Sequence, residues 1–270
     1  MLDDSDFQFA QPLTLEQALA NLKGNDLGLR FYAAWWFGKF QVNHPEAIEL
    51  LISALEDTDD QTPEGGFPLR RNAARALGKL GDQQAVPPLI QALDCSDFYV
   101  REAAANSLEL LRNPTAIPRL LELVKSGLAD GQVDPLMANS QPFDALIEAL
   151  GALQDTHTVP YILPFLDHPL ERVQYAAARA LYLLTGEDRF GFLLVEALKG
   201  NNLQLRRTVL SDLGAIGFLP AAQPIAQTLA ENSLKLVALK GILEAQIDPG
   251  HLGDLSPQIG EVLALMDSLL

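Results

Sequence analysis

A twelve-residue pattern recurs along this chain and limits its fold more than any other feature. With "LRRNAARALGKL" (69–80) as template, four segments align with it: "LRFYAAWWFGKF" (29–40), "VREAAANSLELL" (100–111), "VQYAAARALYLL" (173–184) and "LRRTVLSDLGAI" (205–216). Two weaker copies are "PFDALIEALGAL" (142–153) and "LKLVALKGILEA" (234–245). Most copies start about 31 residues apart, and two intervals are about ten residues longer. Ahead of most copies lies a second pattern, as in "PEAIELLISALED", "QAVPPLIQALDC", "TAIPRLLELVKSG", "TVPYILPFLDH" and "AAQPIAQTLAE". Its apolar residues fall at i, i+3, i+4 and i+7 behind an early proline, as in amphipathic helices with a first-turn proline. No segment alternates with period two over a useful length. Each unit therefore reads as helix A, a turn and helix B, the first A helix being "LTLEQALANLKG". A helical pair of about 30 residues cannot bury its apolar faces alone, so pairs stack. The expected fold is all-α, an α-solenoid forming a right-handed superhelix of about seven helix pairs. It is expected to be one domain over residues 1–270, with residues 1–12 frayed and residues 254–270 a capping helix.

The pattern "D…VR..AA.AL..L" in "DCSDFYVREAAANSLELL" resembles HEAT-like repeats. That resemblance speaks for architecture and leaves function open.

Charge and cysteine usage narrow the class. Net charge is −16 and pI about 4.5, which argues against non-specific nucleic-acid binding and anionic membrane surfaces. The single cysteine, Cys95, allows no intrachain disulfide, so a reducing, cytoplasmic compartment is expected. The opening "MLDDSDFQFAQ" has neither the basic start nor the apolar run of a signal peptide. No stretch approaches the ~18 uncharged apolar residues of a membrane span.

Helical geometry assigns the faces of helix B at 100° per residue. Template positions 1, 5, 9 and 12 face helix A. Positions 6 and 8 are mostly small and suit packing on neighbouring repeats. Positions 3, 7 and 10 lie opposite the core, on what would be the concave surface. On this scheme Phe37 and Phe40 are core and Trp36 packs between repeats, whereas Phe31 and Trp35 point away from the core. Coverage of Trp35 by Phe7 and Phe9 of the N-terminal segment is the plain alternative. The outward stripe then carries the aromatics Phe31, Trp35, Tyr175 and Tyr182. Its bases are Arg71, Arg75, Arg179, Arg207 and Lys240, and its acids Glu102, Glu109, Asp144 and Glu148. That slight positive excess on a strongly acidic protein suits a ligand with aromatic surface and carboxylates. A solvated helix face is the plain alternative for any single arginine. Arg30, Arg70, Arg101 and Arg206 recur at position 2 and are expected to form a ladder between repeats.

Both long intervals fall between a helix A and its helix B, at "EDTDDQTPEGGFPLR" (56–70) and "SGLADGQVDPLMANSQPF" (126–143). Insertions at equivalent places should share an edge and are often functional. The first lacks the calcium-loop spacing, so no metal is expected. No phosphate-binding, zinc-protease or nucleophile-elbow motif is present. The histidines His44, His157, His168 and His251 are scattered and read as structural or solvated. Cys95 lies between Asp94 and Asp97, surroundings that argue against an activated nucleophile.

"LRFYAAWWFGKF" followed by "EDTDDQTPEGGFPLRRNAARALGKLGD" resembles the E subunit of the heterodimeric E/F-type phycobilin lyases, over the whole chain. The resemblance implies an obligate F-type partner subunit. It implies phycocyanobilin as substrate, with no resident cofactor, and the phycocyanin alpha subunit as acceptor through a cysteine thioether. A sister family that couples attachment to isomerisation is similar, and a non-catalytic scaffold is the competing class. On that reading Phe31, Trp35, Tyr175 and Tyr182 would stack on pyrrole rings. Arg71, Arg75, Arg179 and Arg207 would pair propionates, and Asp144 or Glu148 would act as general acid or meet the pyrrole nitrogens.

Overall fold

Short polar caps start the helices where the repeat pattern places them. Asp26 accepts the Leu29 N–H at 2.9 Å and opens α2 (Leu27–Phe40), behind α1 (Leu15–Lys23), which starts on a Thr14/Gln17 capping box. Prolines in the first turn open α3 (Pro45–Ala54), α4 (Pro68–Leu80) and α5 (Val86–Ala92). Asp97 caps α6 (Phe98–Leu111). The pattern continues through α7 (Ile117–Lys125), α8 (Phe143–Ala152), α9 (Val159–Ile162), α10 (Glu171–Thr185), α11 (Asp188–Ala197), α12 (Leu203–Ala215), α13 (Ala222–Gln227) and α14 (Asn232–Gln246), and ends with α15 (Pro257–Asp267). This computed structural model describes residues 13–247 and 257–270. The expectation of a frayed 1–12, the residues Phe7 and Phe9, and His251 lie outside them.

The fold is all-α and HEAT-like, with seven A/B pairs among the described residues. The strands described are a two-residue hairpin, β1 (Leu128–Ala129) and β2 (Gln132–Val133), in the second long loop. Both long loops do separate a helix A from its helix B, α3 from α4 and α7 from α8. The chain divides into two compact units after Ala116. In the first, α2, α4 and α6 pack side by side with α1, α3 and α5 behind them. In the second, α8, α10, α12 and α14 form the equivalent row.

Positions 1, 5 and 9 of helix B are core as expected in most copies: Leu69, Ala73 and Leu77, or Val173, Ala177 and Leu181, are all buried. Position 10 is not on the outward stripe. Gly78 and Gly151 occupy it, both buried, because consecutive B helices touch there. A Cβ on Gly78 would sit 2.7 Å from the Ser107 Cα, and one on Gly151 2.7 Å from the Ala180 Cα. Ser107 uses the contact to donate to the Ala74 carbonyl at 2.8 Å. Position 11 takes the place of position 10 outside: Lys39, Lys79 and Leu110 are exposed. The outward row is thus 3, 7 and 11, four residues apart, which is how a straight helix presents one face.

His168 closes the turn after α9. It is fully buried, and its ring stacks on Phe165, with 5.9 Å between centroids. Nδ1 accepts the Leu170 N–H at 3.1 Å. The expectation of a structural histidine holds here. Burial holds the imidazole below its usual protonation range.

Gly151→Ala should lose about 1 to 3 kcal/mol in urea unfolding, because overpacking outweighs the better helix propensity of alanine. Gly260→Ala in α15, where an added Cβ meets nothing within 4 Å, should gain up to about 1 kcal/mol. For His168, the folded protein binds a proton less readily than the unfolded chain. Its contribution is therefore intact above about pH 6.5 and declines as pH falls below that value. Urea midpoints at pH 5 and pH 8 should differ less in His168→Asn than in the parent, and an equal difference would contradict a buried neutral ring.

Candidate functional site

The first unit exposes aromatic surface on α2. Phe31 and Trp35 are each 42% exposed, while Trp36 is only 8% exposed, as the face assignment requires for two residues 100° apart. Tyr32 was not among the expected residues, yet it is 46% exposed and stacks on Trp35 with 5.4 Å between ring centroids. The cause is its place in the row. Position 4 holds Asn72 in α4 and Ala103 in α6, both buried, and the Asn72 amide donates to the Phe31 carbonyl of the preceding B helix at 3.3 Å. No B helix precedes α2 among the described residues, so Tyr32 has nothing of that kind to pack on. The sequence held a signal, since position 4 is otherwise small or polar in the well-matched copies.

Phe40 corrects the expectation of a core residue: it is 57% exposed. It is the last residue of a fourteen-residue helix whose partner α1 has only nine, and Gln41 turns the chain away in the left-handed region. Its ring rests against Trp36 at 5.5 Å and edge-on to Trp35 at 6.3 Å.

Beside α2, the stripe on α4 is basic. Arg71 lies 3.7 Å from the Asp97 carboxylate and 4.7 Å above the Tyr99 ring. Asp97 is itself buried and accepts the N–H groups of Phe67 and Tyr99 at 2.8 Å each, so it joins the start of α4 to the start of α6. Arg75 is exposed and has no ion pair or hydrogen bond among the described residues. The structure brings Phe31, Trp35, Arg71 and Arg75 onto two adjacent helices.

In the second unit the charged candidates are held in ion pairs between successive repeats. Asp144 on α8 meets Arg172 at the start of α10 at 3.5 Å. Arg179 on α10 lies 3.8 Å from Glu148 on α8 and 3.6 Å from the buried Asp212 on α12. Arg207 on α12 forms a two-point pair with Glu231, the residue preceding α14, one arm at 3.2 Å and a shorter one. That pairing holds the Glu231 carboxyl below its usual range and raises the Arg207 guanidinium. Tyr175 and Tyr182 are half-buried, and burial followed by a neighbouring carboxylate raises both phenols, so they remain neutral. Tyr182, at position 10, is turned onto Phe218, with ring centroids 5.2 Å apart, for the packing reason given above.

The expected ladder between repeats is made by Arg30, whereas the carbonyl bonds of Arg70, Arg101 and Arg206 close the A-to-B turns of their own repeats. Arg30 reaches Asp57 of the following repeat at 2.5 Å. Arg70, Arg101 and Arg206 donate to the carbonyls of Asp57, Cys95 and Gly200 at 2.5, 2.7 and 2.7 Å. These carbonyls follow the ends of A helices, where acceptors lack helical partners. In the first loop Asp60 accepts the Leu69 N–H at 2.5 Å, and burial raises its carboxyl. No group of three potential metal ligands occurs among the described residues.

Chemically, the first unit offers stacking surface and unpaired positive charge, and the second offers carboxylates already clasped by guanidinium groups. Comparison with known proteins gives this geometry a context. A family model described as "HEAT repeats" matches residues 67–131, and one described as "PBS lyase HEAT-like repeat" matches residues 29–57. The chain is 59% identical to the phycocyanobilin lyase subunit alpha of Microchaete diplosiphon, over 96% of this chain and 90% of that protein. It is 45% identical to the bilin biosynthesis protein PecE of a Nostoc species, over 88% and 90%. Among solved structures it resembles a chain in the complex of CpcE and CpcF of phycocyanin lyase from Nostoc, with a TM-score of 0.87, 52% identity and full coverage of both chains.

Replacing the two tryptophans one at a time tests the face assignment. Trp36→Ala should destabilise by roughly 3 to 5 kcal/mol, as for a buried aromatic, and Trp35→Ala by much less. Equal losses of melting temperature would show that both rings are core.

Proposed function

The chain belongs to the family of phycocyanobilin lyase alpha subunits, and from that premise we propose that it is one half of a heterodimeric bilin lyase. With an F-type partner subunit it binds phycocyanobilin and joins it, reversibly, as a thioether to a cysteine of the phycocyanin alpha subunit. The observation that carries this reading is the near full-length identity to relatives bearing that name. Attachment without isomerisation is preferred over the sister activity because identity to the lyase alpha subunits exceeds identity to PecE. The single cysteine accords with a reducing, cytosolic setting near the phycobilisomes, and no helix among the described residues is long and apolar enough to cross a membrane.

In this reaction the acceptor thiol adds across the ethylidene double bond of the bilin. Sulfur bonds to the ethylidene carbon, and a proton is delivered to the adjoining ring carbon, so no oxidant or reductant is consumed. What the lyase contributes is orientation of a flexible pigment against a protein thiol and a proton at the right carbon. The exposed rings of Phe31 and Trp35 supply flat apolar surface for pyrrole rings. Glu148 and Asp144 remain the candidates to accept pyrrole N–H groups or pass the proton. Each would have to share its carboxylate with Arg179 or Arg172 while doing so.

Co-expression with bilin-synthesis enzymes, apo-phycocyanin alpha and an F-type subunit tests the proposal. Zinc-fluorescent pigment should appear on the alpha chain, and omitting either lyase subunit should abolish it. Trp35→Ala should slow the transfer. Absence of pigment from a reconstitution in which a Nostoc lyase pair succeeds would sink the reading in favour of a scaffold.

A further inference from the structure

The outward rows of the seven B helices differ in one respect. Positions 3, 7 and 11 are Phe31, Trp35 and Lys39 on α2, and Glu102, Asn106 and Leu110 on α6. On α10 they are Tyr175, Arg179 and Leu183, and on α12 Arg207, Ser211 and Ala215. Only α4 fills all three with cations: Arg71, Arg75 and Lys79. Like charges four residues apart repel on a helix, so the cations of this row work against one another. The protein has a net charge of −16, yet Arg75 and Lys79 have no ion pair or hydrogen bond among the described residues. Arg71 alone of the three is engaged, with Asp97 and Tyr99. Arg179 and Arg207 contrast with them, since each is neutralised by acids of adjacent helices.

The neighbour on one side is the aromatic helix. A Cβ on Gly38 would lie 2.9 Å from the Ala76 Cα, so α2 and α4 are in backbone contact there. Trp35 and Lys39 flank Gly38, and Arg75 and Lys79 flank Ala76, all four exposed on the same outward side. Cations without a partner among the described residues therefore lie on the helix beside the one that carries the exposed Trp35 ring. Such a pairing recognises a flat conjugated molecule that carries carboxylates.

We propose that Arg75 and Lys79, with Lys39 and Trp35 beside them, form the subsite that holds the propionate carboxylates of the bilin, and that Arg179 and Arg207 are structural ladder residues. This inference rests on the bilin-lyase reading and narrows the arginines that could bind the substrate to those on α4.

The test uses the purified complex with the F-type subunit and follows bilin absorbance during titration with phycocyanobilin or its dimethyl ester. Arg75→Gln combined with Lys79→Gln should weaken binding of the free acid about tenfold or more, because two charge-assisted contacts are lost. The ester should bind the variant and the parent within about twofold, since it has no propionate charge to lose. Arg75→Lys with Lys79→Arg should restore most of the preference for the acid. Arg207→Gln should lower the melting temperature and leave the acid-to-ester ratio unchanged. Unchanged acid binding in the double variant, or loss of the acid preference in Arg207→Gln instead, would overturn the assignment. So would loss of the F-type subunit from the double variant with bilin affinity retained, which would make the row a protein-docking surface. A parent complex that binds neither acid nor ester would defeat the bilin reading itself, and the subsite with it.

Discussion

The backbone contact between successive B helices is the constraint from which the rest follows. Gly78 against Ser107 and Gly151 against Ala180 leave no room for a side chain on the glycine. That distance decides which positions are inside. Positions 8 and 10 become packing surfaces, as Trp36 and Gly38 do on α2, while position 4 is buried as Asn72 on α4 and Ala103 on α6 and exposed as Tyr32 on α2. It also places the outward rows of adjacent helices side by side, so that a residue on one helix meets the charge or ring on the next. Close helical packing of this kind is unforgiving of added volume, which is why small residues recur there.

The polar face follows the same geometry. In the second unit, acids and arginines of neighbouring rows are close enough to pair, and the cluster of Glu148, Arg179 and Asp212 does so partly out of solvent. Such groups hold helices in register, and removing one partner would leave another charge without its mate. In the first unit the pairing is incomplete. Asp97 takes Arg71 along with two backbone N–H groups, and the next two cations of α4 have no partner among the described residues. Aromatic surface accumulates on the adjacent helix for a separate reason, since no B helix precedes α2 among the described residues. The candidate site arises where these two departures from the repeat coincide.

Much of this was legible before any coordinates. The recurrence of "LRRNAARALGKL" and its relatives, with a second apolar pattern ahead of most copies, determined an all-α repeat fold of seven pairs and located both long loops. The 100° between adjacent residues separated Trp35 from Trp36 correctly. These follow from local periodicity, because which side of a helix is apolar is a property of the chain alone. The family resemblance carried by residues 29–40 and 56–82 supplied the chemistry, which periodicity cannot. Tertiary structure decided what depends on neighbours. Position 10 is buried and position 11 exposed because the next helix comes close on one side, a fact no single helix contains. Phe40 is exposed because α1 is shorter than α2, and Tyr32 is exposed on a helix that no B helix precedes among the described residues. Arg71, Arg75, Arg179 and Arg207 look alike in the repeat, yet among the described residues only Arg75 of the four has no partner, since pairing is set by acids some 24 to 33 residues away and brought near only by the stacking of one helix on the next.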